Sequence, residues 1–447
     1  MSKSIIYLPQ IFLQIYLIST LIIFAFGPVQ YNLNQPQIFW GYMALYHLSF
    51  FLGFYVSLLL LNKTVIKKQK YLSNSYNIYI FYAVFLLAFI SSVLSFKGVD
   101  SFIDLINPIF WIESAVSGIL NPQEVYLEKM ERVFSSNQGN KLLNIVLFFI
   151  SFSKIMLLPF LVFFWERISV KLKVATLFIA LLPLLSSLSN GTNKGVFDFI
   201  LLSVSALVAF FIYNKVHSSS FGFKRRKFFL MAFLIAFLGG LTFFGNAMIS
   251  RGGDLTYIEK VDPLGRIEVT DQALERQDNF TYYTYGWLST YIVQGYYGFS
   301  IALNEEFDST FGVGNSVFLT RNFQELLGIN IIDRTYQNKI DKYWDKDAQW
   351  HSMYSYFAND FHFFGVIFVC FLLSFYMARI WIDFLSTGNI FAGVLVSVFF
   401  IMIIFIPANN QIFGFLDGIS AFVITSLLWY LSRLKSTRVY FMREKNV

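Results

Sequence analysis

The sequence predicts an all-α polytopic membrane protein with about ten transmembrane helices and a large loop region. Of its 447 residues, 56% are hydrophobic and only 14% are charged, whereas soluble proteins carry about 25% charged residues. Apolar runs of roughly 20 residues recur, the length at which a helix crosses a bilayer core and pairs its own backbone groups. Basic residues also collect on alternate sides of these runs. The composition therefore excludes a soluble enzyme, a disordered protein and, with Cys370 as the single cysteine, a disulfide-stapled secreted domain.

Ten apolar runs are interpreted as membrane spans. The first begins soon after Lys3 and has no small-residue cleavage site, so it is predicted to be a span rather than a signal peptide. The predicted spans are 7–27, 38–61, 76–96, 142–164, 174–189, 196–213, 228–248, 360–380, 390–407 and 415–432.

The distribution of basic residues predicts the orientation. With the N-terminus in the cytoplasm, the cytoplasmic segments hold 19 basic and three acidic residues, mostly at 63–70, 224–227 and 433–445. Cytoplasmic loops of membrane proteins carry such an excess of lysine and arginine. Both termini are therefore expected to be cytoplasmic, and the net charge of +7 is a topology signal rather than an indication of nucleic-acid binding.

The predicted spans divide the chain into three parts. Residues 1–248 form seven spans and include an outer segment, 97–141, that is expected to lie along the membrane interface as an amphipathic helix. Residues 249–359 form a large outer loop, and loops of this length usually carry function. Residues 360–447 form the last three spans and a basic tail. Within the loop, 284–303 is predicted to be a re-entrant or interfacial helix, since a full crossing would put the basic C-terminus outside.

Cationic side chains on the outer side are the first functional candidates. Lys194 lies in the polar turn SNGTNKG, 189–195, and Arg251 directly follows the seventh span. Taken singly, each has an ordinary interpretation as a snorkelling lysine, an interfacial anchor or half of a surface ion pair. Taken together, they suit a lipid diphosphate, whose oxygens need two or three cations and fit guanidinium forks. The other arginines in this candidate binding set are Arg266, Arg276, Arg321 and Arg334.

The segment 345–365 holds the candidate catalytic groups. His351 and Asp360 are each chemically able to accept a proton from a sugar hydroxyl, and Tyr354 is a candidate for substrate binding. If 351–365 were one helix, His351 and Tyr354 would share a face. The ordinary alternatives are an interfacial histidine and an aspartate at a helix start, favoured there by the dipole. Other acids that remain candidates for the proton acceptor are Glu305, Glu306 and Asp308.

Other kinds of site have little support in the sequence. There is no Walker loop, dinucleotide fingerprint, HExxH or GxSxG pattern. Asp345-Lys346-Asp347 matches a DxD pattern, but in a loop this acidic no metal is assigned to it. Ionisable residues inside the spans are few, which argues against a transporter, since transporters usually carry such groups deep in the membrane. They are Lys154, Asp198, Asp360 and Asp417, the last three near predicted span ends.

Two stretches resemble a known family. YIVQGYYGFSIALNEEFDSTFGVGNSVF, 291–318, and WHSMYSYFANDFHFFGVIF, 350–368, are similar to the oligosaccharide repeat-unit polymerases of the O-antigen (Wzy) type. In that family a large outer loop precedes an aromatic-rich helix start with a DFG-like sequence. Here Asp360-Phe361 is followed by His362-Phe363-Phe364-Gly365, which is a longer spacing before the glycine than in the commonest form. The SNGTNKG turn resembles the family's polar turn, with Lys194 where arginine is more usual.

The resemblance implies a glycosyltransferase of the bacterial inner membrane, with a fold similar to the lipid-sugar-using GT-C type. It would polymerise undecaprenyl-diphosphate-linked oligosaccharides at the periplasmic face, without a nucleotide sugar or other cofactor. A polysaccharide chain-length regulator would be a partner, and nucleic acid would not. The alternatives left open are an O-antigen ligase, which moves the finished chain to a lipid core, and a flippase or other transporter.

Overall fold

A computed structural model describes residues 3–61, 74–96, 107–135, 141–217 and 223–444. Within these ranges the protein is a helical bundle with one small two-stranded sheet. The helices of the N-terminal part are α1 (Lys3–Ile6), α2 (Leu8–Phe26), α3 (Pro36–Leu59), α4 (Asn74–Leu94), α5 (Pro108–Leu120), α6 (Pro122–Ser135), α7 (Lys141–Ile150), α8 (Phe152–Phe164), α9 (Val170–Leu188), α10 (Lys194–Val216) and α11 (Phe223–Gly252).

The loop region between α11 and the next long helix is itself helical. Its helices are α12 (Tyr257–Lys260), α13 (Asp271–Glu275), α14 (Phe280–Ala302), α15 (Val317–Leu327), a 3₁₀ turn (Ile332–Arg334) and α16 (Tyr336–Lys339). Strand β1 (Val29–Tyr31), between α2 and α3, pairs antiparallel with β2 (Ile267–Val269) of the loop region. This pairing ties the large loop to the start of the chain.

Three long helices complete the chain: α17 (Met353–Thr387), α18 (Ile390–Phe405) and α19 (Leu416–Glu444). Local sequence sets several helix ends. Ser352 caps α17 by accepting a hydrogen bond from the Ser355 amide, and Gly388 ends it with a φ of 69°, a left-handed conformation that glycine adopts at little cost. Asn279 caps α14 in the same way.

Six helices in the described part of the chain are long and apolar enough to cross a membrane, which fits the predicted all-α membrane protein. They are Leu8–Phe26, Pro36–Leu59, Leu142–Phe164 (α7 with α8), Val170–Leu188, Lys194–Val216 and Met353–Thr387, and each coincides with a predicted span. The other four predicted spans fall on α4, α11, α18 and α19, so the total of ten stays a prediction. Shorter apolar helices include Ile390–Phe405 and Pro108–Leu120, the latter in the segment 97–141 that is predicted to lie outside.

Helix α14 covers the apolar run that was predicted to be re-entrant or interfacial. It is a 23-residue helix whose residues from Tyr283 onward are mostly buried. Its Gly295 lies where a Cβ atom would overlap the Pro407 carbonyl and the Ser352 amide. Both the α18–α19 connection and the start of α17 therefore pack directly on the α14 backbone.

Helix α17 is two helices joined at a kink, which corrects the premise that 351–365 forms one helix. The helix starts at Met353, after His351, and His362 has a φ of 57° and a ψ of 160°, outside the helical range. A non-glycine residue with positive φ is uncommon and needs support from its surroundings. His351 and Tyr354 therefore do not share a helix face.

The most extensive contact between two helices in the described part of the chain joins α17 and α3. Tyr46, Phe50 and Phe54 repeat at helical spacing and are 0–1% exposed. Gly53 lies beside them, and a Cβ atom at this position would overlap the backbone carbonyl of Phe371 in α17. The two helices thus approach each other at their backbones, as small residues allow in membrane proteins.

Gly53→Ala is expected to destabilise the protein by about 1–3 kcal/mol, because overpacking forces α3 away from α17. The measurement is thermal unfolding of the purified full-length protein in detergent. The matched control is Gly41→Ala in the same helix, where nothing lies within 4 Å of the added Cβ and alanine favours the helix. Equal melting temperatures for the two variants would contradict the close α3–α17 contact.

Candidate functional site

A cavity of about 410 Å³ lies between α4, α8, α9, α10 and the connection from α18 to α19. It is at the end of the bundle that faces the loop region, because the connection that walls it bonds to residues 315–318. Most of the wall is apolar. The polar and charged lining residues are Ser92, Ser95, Lys154, Ser186, Ser187, Asn190, Thr192, Lys194, Asp198, Gln411 and Asp417.

The first charged pair in the cavity joins α8 to the start of α19. The Lys154 ammonium is 2.8 Å from an Asp417 carboxylate oxygen, and their side chains are 6% and 42% exposed. Lys154 Nζ also donates to Ser95 Oγ at 2.9 Å. Because an ion loses several kcal/mol of solvation on burial, the enclosed lysine depends on both partners, while the more exposed Asp417 remains open to the cavity.

The second charged pair lies at the start of α10. Lys194 Nζ is 2.8 Å from Asp198 Oδ2, one helical turn further on, with side chains 46% and 29% exposed. Gln411 Nε2 donates to both Asp198 oxygens at 3.0 Å. The Lys194 ammonium also lies 5.0 Å from the ring centroid of Phe415, within cation–π range. One half-exposed lysine is thus held at the cavity by a carboxylate and an aromatic ring, and the Gln411 amide binds the same carboxylate.

The SNGTNKG turn holds Lys194 in place through tight backbone packing. Ser187 Oγ accepts a hydrogen bond from the Gly195 amide at 2.8 Å. Gly191 has a φ of 62°, and a Cβ there would lie 2.5 Å from the Pro122 carbonyl oxygen, so a side chain is excluded by both conformation and space. The start of α6 therefore packs directly against the turn.

A buried hydroxyl in the wall has no protein partner in the described part of the chain. Ser92 is 4% exposed and lines the cavity, and its side-chain hydroxyl makes no hydrogen bond to the residues described. Buried polar groups are normally paired, so this covered and unpaired hydroxyl is an exception among the groups around the cavity. The cavity as a whole offers two cations, two carboxylates and several hydroxyls at the edge of an apolar bundle, which suits a phosphorylated, hydroxyl-rich headgroup.

Of the predicted binding residues, Lys194 lines this cavity and the described arginines do not. Arg321 is 3.8 Å from Asp347, and Arg334 is 3.7 Å from Asp308. Both arginines therefore form surface ion pairs, the ordinary alternative that was expected for arginines in an acidic loop.

The remaining arginines also lie away from the cavity or outside the described side chains. The exposed Arg276 donates to the Tyr282 hydroxyl at 2.8 Å, and the half-buried Arg266 gives its backbone amide to Asp262. Arg251 belongs to the last turn of α11, and its side chain lies outside the described part of the structure. The second cation that lines the cavity with Lys194 is therefore Lys154, which was not among the predicted binding residues.

The structure revises the expected role of Asp360. Its carboxylate accepts hydrogen bonds from the Thr310 hydroxyl, the Gly312, Gly314 and Asn315 amides and the Asn315 side chain. The four bonds that involve Gly312, Gly314 and Asn315 span 2.8–3.0 Å. A carboxylate that is 9% exposed and accepts five such bonds has no free site for a substrate proton. Asp360 holds the 310–315 loop and does not line the cavity.

His351 and Tyr354 are enclosed in the protein. Both are 0% exposed, and neither the ring nitrogens of His351 nor the Tyr354 hydroxyl has a partner among the described residues. Burial lowers the pKa of His351 to about 3, partly opposed by the charge of Asp341. His351 is therefore a neutral imidazole at physiological pH. The Tyr354 ring packs on Tyr46, with centroids 4.6 Å apart.

The DxD pattern also has a structural role. Asp345 accepts hydrogen bonds from the amides of Asp347 and Ala348, while Lys346 pairs with Asp341 at 2.7 Å. No group of three or more metal-ligating side chains occurs in the described ranges.

The sequence contained a signal for the cavity. Lys154, Asp198 and Asp417 were three of the four ionisable residues in the predicted spans, and such residues mark functional sites by default. What could not be read from the sequence was that the three converge. Comparison with known proteins adds nothing here, since no family model, curated protein or solved structure matches the chain.

Because His351 has a lowered pKa, it should make stability depend on pH. The unfolded state binds a proton below about pH 6.5 and the folded state only below about 3, so stability falls as the pH drops through this window. Between pH 7.5 and 5 this amounts to about 2 kcal/mol. His351→Gln should remove that part of the acid sensitivity, measured as unfolding free energy in mixed micelles.

The control is His217→Gln, since His217 is exposed at the end of α10 and lacks this burial. If wild-type protein and His351→Gln lose stability in parallel on acidification, the neutral buried state of His351 is wrong.

Proposed function

We propose that this protein is an oligosaccharide repeat-unit polymerase that transfers a growing glycan from its undecaprenyl diphosphate carrier to a new lipid-linked unit. The observation that carries the proposal is the convergence of Lys154 and Lys194 in one cavity at the loop end of an apolar bundle. A substrate there has its charged headgroup among polar side chains and its hydrocarbon in the membrane. The resemblance of 291–318 and 350–368 to the Wzy-type family supports the same proposed function.

In this proposal the chain crosses the bacterial inner membrane ten times, with cytoplasmic termini and a periplasmic cavity. Its fold would be related to the GT-C type, and a chain-length regulator would be a partner. The basic cytoplasmic segments support this orientation. A periplasmic location also agrees with a reaction that uses lipid-linked sugars and no nucleotide sugar.

The two lysines would stabilise the leaving group. As the bond between the anomeric carbon and the phosphate oxygen breaks, negative charge grows on the diphosphate, and fixed cations in a partly dry site stabilise that charge more than water does. Lys154 is enclosed by its Asp417 and Ser95 contacts, so little reorganisation is needed as the charge develops.

Asp417 would accept the proton of the attacking hydroxyl. It lines the cavity, is 42% exposed and is held by Lys154 at 2.8 Å. The acceptor oxygen forms the new bond to the anomeric carbon, the diphosphate leaves with the bonding electron pair, and the proton passes to the carboxylate. Asp417 replaces His351 and Asp360 in this role, because neither lines the cavity.

A transporter or flippase is the second candidate, and one observation favours it. Lys154, Asp198 and Asp417 are ionisable groups in or beside apolar spans, and they meet in one cavity. Such clusters mark transport pathways as well as catalytic sites. The distinction lies in what accumulates when the protein is lost.

Lys154→Met and Lys194→Ala should each lower polymer formation by about a hundredfold, the usual cost of removing one group that stabilises transition-state charge. The measurement is the length distribution of the surface polysaccharide in a deletion strain that carries each variant, with membrane insertion checked by immunoblot. The control is Lys260→Ala, an exposed lysine of the loop region, which should leave the chains unchanged.

The product in the deletion strain separates the possibilities. Single repeat units attached to the lipid core are expected for a polymerase, whereas long chains left on the carrier indicate a ligase. Lipid-linked units left on the cytoplasmic side indicate a flippase. Full-length polymer from both lysine variants would rule out the cavity as the site of polymerisation.

A further inference from the structure

We propose that the α18–α19 connection, residues 406–415, positions the Lys194 side of the cavity, and that Asn410 and Gln411 are its positioning residues. The proposal deepens the proposed function, since it assumes that the cavity binds a diphosphate headgroup. It is carried by a continuous series of hydrogen bonds from Asp360, through the connection, to Lys194.

The series begins at Asp360. Its five hydrogen bonds fix the 310–315 loop, and two of them come from the backbone amide and side chain of Asn315. Asn359, the preceding residue, holds the same loop: its side chain donates to the Gly314 carbonyl at 2.8 Å, and its carbonyl accepts from Thr310. The position of Asn315 is therefore set by the first half of α17.

The next step joins this loop to the connection. Asn410 Nδ2 donates to the backbone carbonyl of Asn315. A second bond runs from the Phe318 amide to the Gly414 carbonyl at 3.2 Å. The connection is thus attached to segment 315–318 at two places four residues apart.

The other side of the connection faces the cavity. Gln411 is 6% exposed and donates to both oxygens of Asp198, while Phe415 lies under the Lys194 ammonium. Because the Gln411 amide donates hydrogen bonds to the Asp198 carboxylate, it competes with Lys194 for that carboxylate and weakens the Asp198–Lys194 ion pair. Lys194 is then freer to bind an anionic ligand, and this effect depends on where the connection lies.

The beginning of the connection is fixed as well. The Met353 amide donates to the Ile406 carbonyl at 3.0 Å, and the Pro407 and Ala408 carbonyls pack on Gly295 of α14. The connection is therefore anchored before Asn410, and the Asn410–Asn315 bond decides how its cavity-facing half lies.

Two measurements on the full-length protein test the proposal. The first is the affinity for farnesyl diphosphate in nanodiscs, the probe for a lipid diphosphate. The second is the labelling rate of Ser92→Cys by a cationic methanethiosulfonate in a Cys370→Ala background, which reports access to the cavity. Asn410→Ala should lower the affinity for farnesyl diphosphate about tenfold, the usual effect of losing a buried hydrogen bond. It should raise the labelling rate of Ser92→Cys by a similar factor.

A double variant distinguishes positioning from general structural damage. Asn410→Ala combined with Gln411→Ala should bind the probe no more weakly than Gln411→Ala alone, because both act through Asp198. The matched control is Asn144→Ala, which removes a 3.4 Å bond between α7 and Asn322 of α15 without touching the connection. It should change neither measurement.

The outcomes separate the two proposals. If Asn410→Ala changes neither affinity nor labelling, or if Asn144→Ala changes them equally, the positioning role is overturned. If the wild-type protein does not bind farnesyl diphosphate but Asn410→Ala still raises labelling, the connection does position the cavity wall and the diphosphate site of the proposed function is wrong. Additive losses in the double variant would also overturn the positioning role.

Discussion

The free-energy cost of burying the Lys154 ammonium group among apolar helices determines the structure around the cavity. Lys154 is almost completely buried in α8, and an ammonium group in such surroundings needs a carboxylate and further hydrogen bonds to offset its lost solvation. Asp417 comes from the start of α19, and Ser95 lies just beyond the end of α4. One charge therefore draws three separate parts of the chain together and leaves a polar cavity at their junction.

The loop region is ordered around a second buried charge. Asp360 takes its five hydrogen bonds from a loop of six residues, and a carboxylate with so many donors gains more from this loop than from water. Through Asn315 and Asn410 the same loop reaches the α18–α19 connection. The kink at His362 lies two residues after Asp360. Helix α17 therefore changes direction just after the residue that binds the 310–315 loop.

The stretches that resemble the Wzy-type family lie in this scaffold and not in the cavity wall. None of the residues of 291–318 or 350–368 lines the cavity; they supply α14, the Asp360-bound loop and the first half of α17. Buried polar networks of this kind tolerate little change, because each buried donor or acceptor left unpaired is costly.

The amino-acid sequence alone was enough to predict the all-α class and the helices that coincide with predicted spans. Twenty-residue apolar runs have few alternatives in a bilayer. It also marked Lys154, Asp198 and Asp417 as unusual, since charges inside apolar runs are costly. Which of these charges meet is known only from the packing of the helices. Lys154 and Asp417 are more than 250 residues apart, and local periodicity carries no information about such contacts. The tertiary structure also decided that Asp360 binds a loop and that His351 is enclosed, because solvation and hydrogen-bond partners arise only when distant segments pack together.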